Sequence, residues 1–270
     1  MLGDFKTIKE ILPDIIDNIE NANMKKFPHF NRTYYANLDS LIDGLNNGEL
    51  ITIAGEKNNY SSLFMLNLAK NCILKGEKHV LLLDFGFTNK YSELLEIIKI
   101  SKTCKYHKLS INNPIDSIYE SIQNFLKIHP DCMIFINGLD QIFNDVHLRF
   151  DFRKKLEQFS IKLKNIARKN DVPIIITFKL SLFLKYYRST YVELYNLGIF
   201  DAFACYSDKV LTTKFFNSNT QEMMRKDLDV RVVKNKNGRT GTLYFGLYEE
   251  TQNIVECDYY TDDDKLSVAF

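Results

Sequence analysis

Four apolar runs with almost no polar interruption stand along the chain: Leu50-Ile51-Thr52-Ile53-Ala54, Val80-Leu81-Leu82-Leu83, Cys132-Met133-Ile134-Phe135-Ile136 and Val172-Pro173-Ile174-Ile175-Ile176. Runs of this length that lack alternation read as strands buried on both faces, the habit of a parallel sheet. Between them the apolar period changes to that of a helix. Leu63, Met65, Leu66, Leu68, Ala69 and Ile73 predict an amphipathic helix over 61–74, and further helices are expected near 90–101, 115–128 and 150–170. The last carries Phe152, Leu156, Phe159, Leu163, Ile166 and Ala167 on one stripe, read as core. The fold class is therefore α/β, a mainly parallel sheet flanked by helices.

After about residue 205 the pattern shifts to Val210-Leu211-Thr212-Thr213, Val230-Arg231-Val232-Val233 and Thr242-Leu243-Tyr244-Phe245, with Asn237-Gly238 as a turn signal. These predict antiparallel strands extending the sheet near the C-terminus. Residues 1–32 form an arm in which Ile8, Ile11, Leu12, Ile15, Ile16 and Ile19 recur at helical spacing, interrupted by Pro13. One stripe on one short helix needs a surface to lie on, either its own domain or a neighbouring subunit. The main domain is assigned to 33–258, and 259–270, with Asp262-Asp263-Asp264, to an acidic flexible tail.

Composition narrows the picture less. A chain of 270 residues, 45% hydrophobic, can bury one large core. A formal net charge of +1 makes no global case for nucleic acid or a membrane surface. Cys72, Cys104, Cys132, Cys205 and Cys257 lie far apart without a C-x-x-C pair, and the His residues lack ligand spacing, so neither a disulfide framework nor a metal site is indicated. With no apolar stretch of membrane length and no basic-then-apolar start after Met1, the expectation is a soluble, cytoplasmic protein without a membrane partner.

The chemistry concentrates between the first strand and the helix after it, in Gly55-Glu56-Lys57-Asn58-Asn59-Tyr60-Ser61-Ser62. A phosphate loop, G-x-x-x-x-G-K-[ST], aims backbone N–H groups at phosphates, adds a Lys for the outer phosphates and holds Mg²⁺ through a hydroxyl. Gly55 and the hydroxyl of Ser62 fit that frame. Tyr60 replaces the second Gly and Ser61 replaces the Lys, so the charge is missing, and Glu56 adds a negative one. Lys57 is a candidate substitute cation, and Asn58 and Asn59 tolerate left-handed backbone. ATP hydrolysis is expected to be impaired or absent, while residual binding of ATP and Mg²⁺ stays open.

Several separated segments resemble the RecA-like ATPase domain of DnaB-type replicative helicases. Thr33 to Asp39 and Gly44-Leu45-Asn46-Asn47-Gly48-Glu49-Leu50 resemble that family's lead-in to the phosphate loop. Leu163-Lys164-Asn165-Ile166-Ala167 with Val172-Pro173-Ile174-Ile175, Leu194 to Asp201, and Lys234-Asn235-Lys236-Asn237-Gly238-Arg239-Thr240-Gly241 are similar to later segments in the same order. The resemblance spans roughly 33–250 and omits the family's separate N-terminal domain. It places the arm where the family carries a linker helix that docks on the adjacent subunit, which implies a homo-oligomer or an assembly with a replicative helicase.

The departures from the resemblance fall on catalysis. The family's water-activating Glu corresponds to Gly86, with Asp84 as a candidate stand-in, and its metal-supporting Asp corresponds to Asn137, an amide without charge for Mg²⁺. Asp140 lies beyond the matched position. The Gln that follows the family's next core strand corresponds to Lys179, and the trans-acting arginine finger to Lys236, which lacks the planar fork of Arg. Losing the Lys, Glu, Asp and Arg together implies a helicase-fold protein that does not turn over ATP. Channel-facing loops of the family, which carry basic residues to single-stranded DNA, correspond to regions with Arg149, Arg153, Lys185 and Arg188, the latter two flanking Tyr186 and Tyr187. The expectation is a non-catalytic assembly or regulatory factor in DNA replication. The alternatives are a divergent active helicase using Lys57 and Asp84, and an ATP-independent single-stranded DNA-binding module.

Overall fold

A computed structural model of the chain describes residues 31–55, 60–86, 92–109, 115–143, 152–180, 194, 197, 201–216 and 225–261. All of these fall in one compact unit, Asn31–Phe270. The arm, Glu56 to Asn59, Arg149, Lys185 to Arg188 and the stretch after Thr261 lie outside the described residues.

Among the described residues, nine strands form one sheet: β1 (Leu50–Gly55), β2 (His79–Asp84), β3 (Cys104–Lys108), β4 (Cys132–Asn137), β5 (Ile174–Lys179), β6 (Lys209–Phe216), β7 (Arg225–Asn235), β8 (Gly241–Tyr248) and β9 (Asn253–Thr261). Their order is β3-β2-β4-β5-β1-β6-β7-β8-β9. The strands from β3 to β6 pair in parallel, and β6 through β9 antiparallel, as the change of pattern after residue 205 predicts. The described helices are α1 (Ala36–Ile42), α2 (Tyr60–Leu74), α3 (Ser92–Ile100), α4 (Ile115–Ile128), α5 (Leu139–Phe143), α6 (Phe152–Asn170) and α7 (Asp201–Tyr206).

The continuous apolar runs are explained by two cores. Ile51, Ile53, Val80, Leu82, Met133 and Phe135 point into a cluster with α1, α2 and α3. Their neighbours Leu50, Ala54, Leu81, Leu83, Ile134 and Ile136 point into a second cluster with α4, α6 and α7. Successive side chains of a strand face opposite sides, so a strand covered on both faces has no position left for polar alternation.

Helix α2 departs from expectation. In place of an amphipathic stripe, nearly the whole helix is buried, from Tyr60 through Ala69 and again at Asn71, Cys72 and Ile73. Its outer side is covered by the lead-in to α1 and by β9. Asn67 receives the Ile254 N–H and donates to the Gln252 carbonyl, and Asn71 donates to the Thr33 carbonyl. Asn67 and Asn71 are thus ties to neighbouring backbone, and burial of these two amides is tolerated because each is bonded.

The lead-in motif also has a structural basis. Asp39 accepts N–H bonds from Thr33 and Tyr34, and Gly44 and Gly48 take positive φ of 68° and 74°. Glu49 pairs at 2.6 Å with Lys209, which is 2% exposed and also donates to the Gly44 carbonyl. Beside it, Lys164 pairs with Asp208, which accepts the Leu50 N–H. This network anchors the amino end of β1, opposite the end that carries Gly55. No helix among the described residues is long and apolar enough to cross a membrane.

Candidate nucleotide site at the carboxyl edge of the sheet

In open α/β sheets, ligand sites form outside the carboxyl ends of parallel strands. Here β1, β2, β4 and β5 end on Gly55, Asp84, Asn137 and Lys179, so four of the positions singled out in the sequence lie along one edge.

Packing by itself is enough to require Gly at position 55. A Cβ there would lie 2.5 Å from the Thr213 hydroxyl and 2.9 Å from the Ser61 Cβ, closer than real contacts allow. Thr213 is the strand partner of Gly55 on β6. Ser61, at the loop's Lys position, is 0% exposed in the first turn of α2, and its hydroxyl has no hydrogen-bond partner among the described residues. The Thr213 hydroxyl is buried as well and unpartnered among the described residues. Tyr60 begins the helix, and its ring stacks on Phe215 at 4.8 Å with an 11° interplanar angle. The aromatic ring at the second glycine position is thereby drawn into the core. Ser62 is buried beside Ser61.

The ends of β2, β4 and β5 are tied to one another. Asp84, 1% exposed, accepts from Asn137 Nδ2 at 3.0 Å, from the Gly86 N–H at 2.9 Å and from the Tyr106 hydroxyl at 2.9 Å. Asn137 Oδ1 in turn accepts from Thr177 at 2.7 Å, and Thr177 receives the Gly138 N–H at 3.0 Å. The Asn137 amide thus bridges Asp84 and Thr177. Burial beside the Asp84 carboxylate pushes the Tyr106 phenol well above its usual range.

Gly86, where the sequence resemblance expects a Glu, lies against the turn after β4. A Cβ on it would meet Gln141 Cγ at 3.3 Å and Gly138 Cα at 3.7 Å. Gly138 has φ of 74°, and a Cβ there would sit 3.1 Å from the Gly86 nitrogen. Asp140 turns to β5, where it accepts the Lys179 N–H at 2.9 Å and a bond from Gln141 at 2.9 Å. Burial raises its carboxyl, with the Lys179 N–H and charge opposing.

Two predicted residues stand apart. Lys236 is exposed in the turn after β7, and its N–H donates to the Asp208 carbonyl, at the amino end of β1 and β6. Within one chain it lies about a strand's length from Gly55. Arg153, exposed in the first turn of α6, pairs with Glu157 at 3.0 Å and Asp201 at 3.1 Å. Sequence reading missed Tyr106, Thr177, Thr213 and Gln141. The signal for Thr177 and Thr213 is a lone hydroxyl at the end of a buried strand.

Among the described residues the chain thus has a RecA-like α/β fold, a nine-stranded sheet with a parallel half and an antiparallel extension. Two solved structures share it. One, described as an ATPase domain, aligns with a TM-score of 0.71 at 16% identity, covering 94% of this chain and 100% of that one. A DnaB-like replicative helicase, described with its interactions with primase, aligns with a TM-score of 0.73 at 17% identity, covering 93% of this chain and 67% of that one. No protein-family model and no curated protein matches the chain by sequence.

Proposed function

We propose that this chain is a DnaB-like protein whose nucleotide site does not hydrolyse ATP, and that it serves DNA replication as an assembly or regulatory factor, bound to itself or to an active helicase. The observation that carries the reading is the closed chain Tyr106–Asp84–Asn137–Thr177. Phosphoryl transfer depends on charge aimed at the phosphates, the metal and the attacking water. At this edge the Asp84 carboxylate accepts from Gly86, Tyr106 and Asn137, the Asn137 amide is tied to Asp84 and Thr177, and Ser61 offers an orphan hydroxyl in place of a cation. The residues present do not fit a catalytic Mg²⁺.

The stand-in role of Asp84 is disfavoured by the same bonds, which fix it between β2, β3 and β4. Direct DNA contact by Arg153 is disfavoured by its two carboxylate partners. The role in replication rests on the likeness of fold, which by itself does not specify function.

The test is equilibrium binding of a fluorescent ATP analogue with Mg²⁺, together with phosphate release, on protein whose mass is read by light scattering. An oligomeric mass, or co-migration with an active DnaB-type helicase, with no turnover is the expected result. Sustained turnover that disappears in Lys57→Ala or Ser62→Ala would sink the reading.

A further inference from the structure

At the amino end of the sheet, opposite the edge that carries Asp84, two side-chain pairs clasp the start of β2 to the end of α4. Lys78 donates to both carboxylate oxygens of Asp131, at 3.0 and 2.9 Å. One residue further along β2, the His79 ring stacks on His129 with centroids 4.1 Å apart and 27° between the planes. The sequence explains why His129 stands there. Its N–H closes the last turn of α4 on the Phe125 carbonyl at 2.9 Å, and Pro130 has no N–H with which to continue the helix. β4 then begins at Cys132, the strand partner of His79. The His129 ring also packs on Phe125, 4.8 Å between centroids, and Phe125 is buried in the second core. Both imidazoles are half-buried, so the stack stands between that core and solvent. The Lys78–Asp131 bridge is exposed, and bridges of that kind contribute little. Holding the clasp falls to the two rings.

We propose that the His79–His129 stack is an acid-sensitive latch: at neutral pH it holds the last turn of α4, Phe125 to His129, against the start of β2, and on acidification the rings part and that turn opens while the rest of the sheet stays folded. Two imidazoles at this separation cannot both take a proton without setting like charges in contact. Lys105, on β3, adds a third positive group, while Lys78 and Asp131 hold each other. The Cys132 thiol, pushed up to about 12 by burial, stays neutral. The open carbonyls at the end of α4 favour a charge on His129, but they are outweighed: its pKa is lowered by burial first, then by His79 and Lys105. A histidine lowered in the fold binds fewer protons than in the unfolded chain over the interval below about 6.5. Its contact therefore contributes fully above that value and is lost as pH falls through the interval. Opening uncovers Phe125 and Leu126 beside Ile128, which is already 68% exposed, and so creates an apolar patch. The place suits local opening, because β2 is next to β3, the terminal strand of the sheet.

The test is amide hydrogen exchange on the full chain at pH 7.5 and 5.5, corrected for the intrinsic effect of pH, with the His129 titration followed by NMR. Protection at Leu126 to His129 is expected to fall at least about fivefold at pH 5.5, while β1 and β5 keep theirs. His129→Phe keeps an aromatic ring against His79 and removes one charge, so the fall should shrink to less than about twofold. Lys105 is exposed, and Lys105→Gln weakens the same repulsion without touching the core, so it should at least halve the fall and raise the His129 midpoint. His79→Phe should raise that midpoint as well. An equal fall in the parent and in His129→Phe, or a fall spread evenly over β1 and β5, would overturn the latch. A His129 midpoint unmoved by both Lys105→Gln and His79→Phe would overturn the repulsion that drives it.

Discussion

Asn137 donates its side-chain amide to the Asp84 carboxylate at 3.0 Å, so the ends of two adjacent parallel strands share one hydrogen bond where the resemblance expects a metal-supporting Asp. Asn137→Asp would exchange that bond for two buried carboxylates in contact. One of the pair must then hold a proton, which raises its folded-state pKa above the unfolded value. Its penalty is absent at low pH and grows as pH rises through the interval between those two values. The variant is expected to lose about 1–3 kcal/mol at pH 7.5 and markedly less at pH 4.5, read by denaturant unfolding at both. It should gain no ATP turnover.

Ser61 makes a contrary prediction. In a working phosphate loop, truncating the corresponding residue removes function without improving the fold. Here the Ser61 hydroxyl is buried with no partner among the described residues, so Ser61→Ala removes a desolvated group that none of them compensates. Stability should rise by about 0.5–1.5 kcal/mol, measured as a shift in denaturation midpoint at constant m-value. Thr213→Val should act in the same direction, since its hydroxyl is equally orphaned. A loss of stability in both variants would mean that the two hydroxyls hold a common bound group.

How much of this was legible in the sequence depends on burial. Strands with both faces covered appear as unbroken apolar runs, and β1, β2, β4 and β5 were read correctly for that reason. The edge strand β3, Cys104-Lys105-Tyr106-His107-Lys108, is only partly buried, alternates charge with apolar groups, and left no comparable signal. β9 was missed similarly; its pattern is split between the core residue Ile254 and the exposed Val255. Helix α2 was read as one-sided because its buried Asn67 and Asn71 resemble a solvated face; only the tertiary ties to Gln252, Ile254 and Thr33 make them interior. The site positions Gly55, Asp84, Gly86 and Asn137 could be placed at strand ends. Their mutual bonding could not, since it depends on the lateral order β2-β4-β5, and sequence order does not reveal that.

The lead-in residue Glu49 is expected to matter for stability. It pairs with the buried Lys209, and removing one member of such a pair leaves an uncompensated charge, costing about 3–5 kcal/mol. Burial lowers the Lys209 pKa below 10.5 even though Glu49 opposes the shift. Glu49→Gln removes that opposition and lowers it further. Between the folded value and 10.5 the unfolded chain binds more protons, so stability rises with pH across that interval. The deficit of Glu49→Gln should therefore be larger at pH 7 than at pH 9.5. Chemical denaturation at the two pH values checks the sign, and a deficit independent of pH would argue against a charged Lys209 in the fold.

Placing a Glu at position 86, where the resemblance expects one, should not create a working site, because the space is filled. A Cβ on Gly86 meets Gln141 at 3.3 Å, and Gln141 must move to admit a longer chain. That movement withdraws the Gln141 amide from Asp140, whose carboxyl burial already raises. With one donor lost and a new carboxylate nearby, the Asp140 pKa climbs further. A carboxyl raised in the folded state binds more protons there than in the unfolded chain, so its stability contribution falls as pH rises through the shifted interval. Gly86→Glu should then cost about 1–3 kcal/mol at pH 7, and less at pH 4.5. The triple variant Ser61→Lys, Gly86→Glu and Asn137→Asp should unfold more readily than any of its single members and show no phosphate release. Measurable hydrolysis in that variant would mean that Tyr60 and the Asp84 bonds do not close the site, and that the missing charges alone keep the protein inactive.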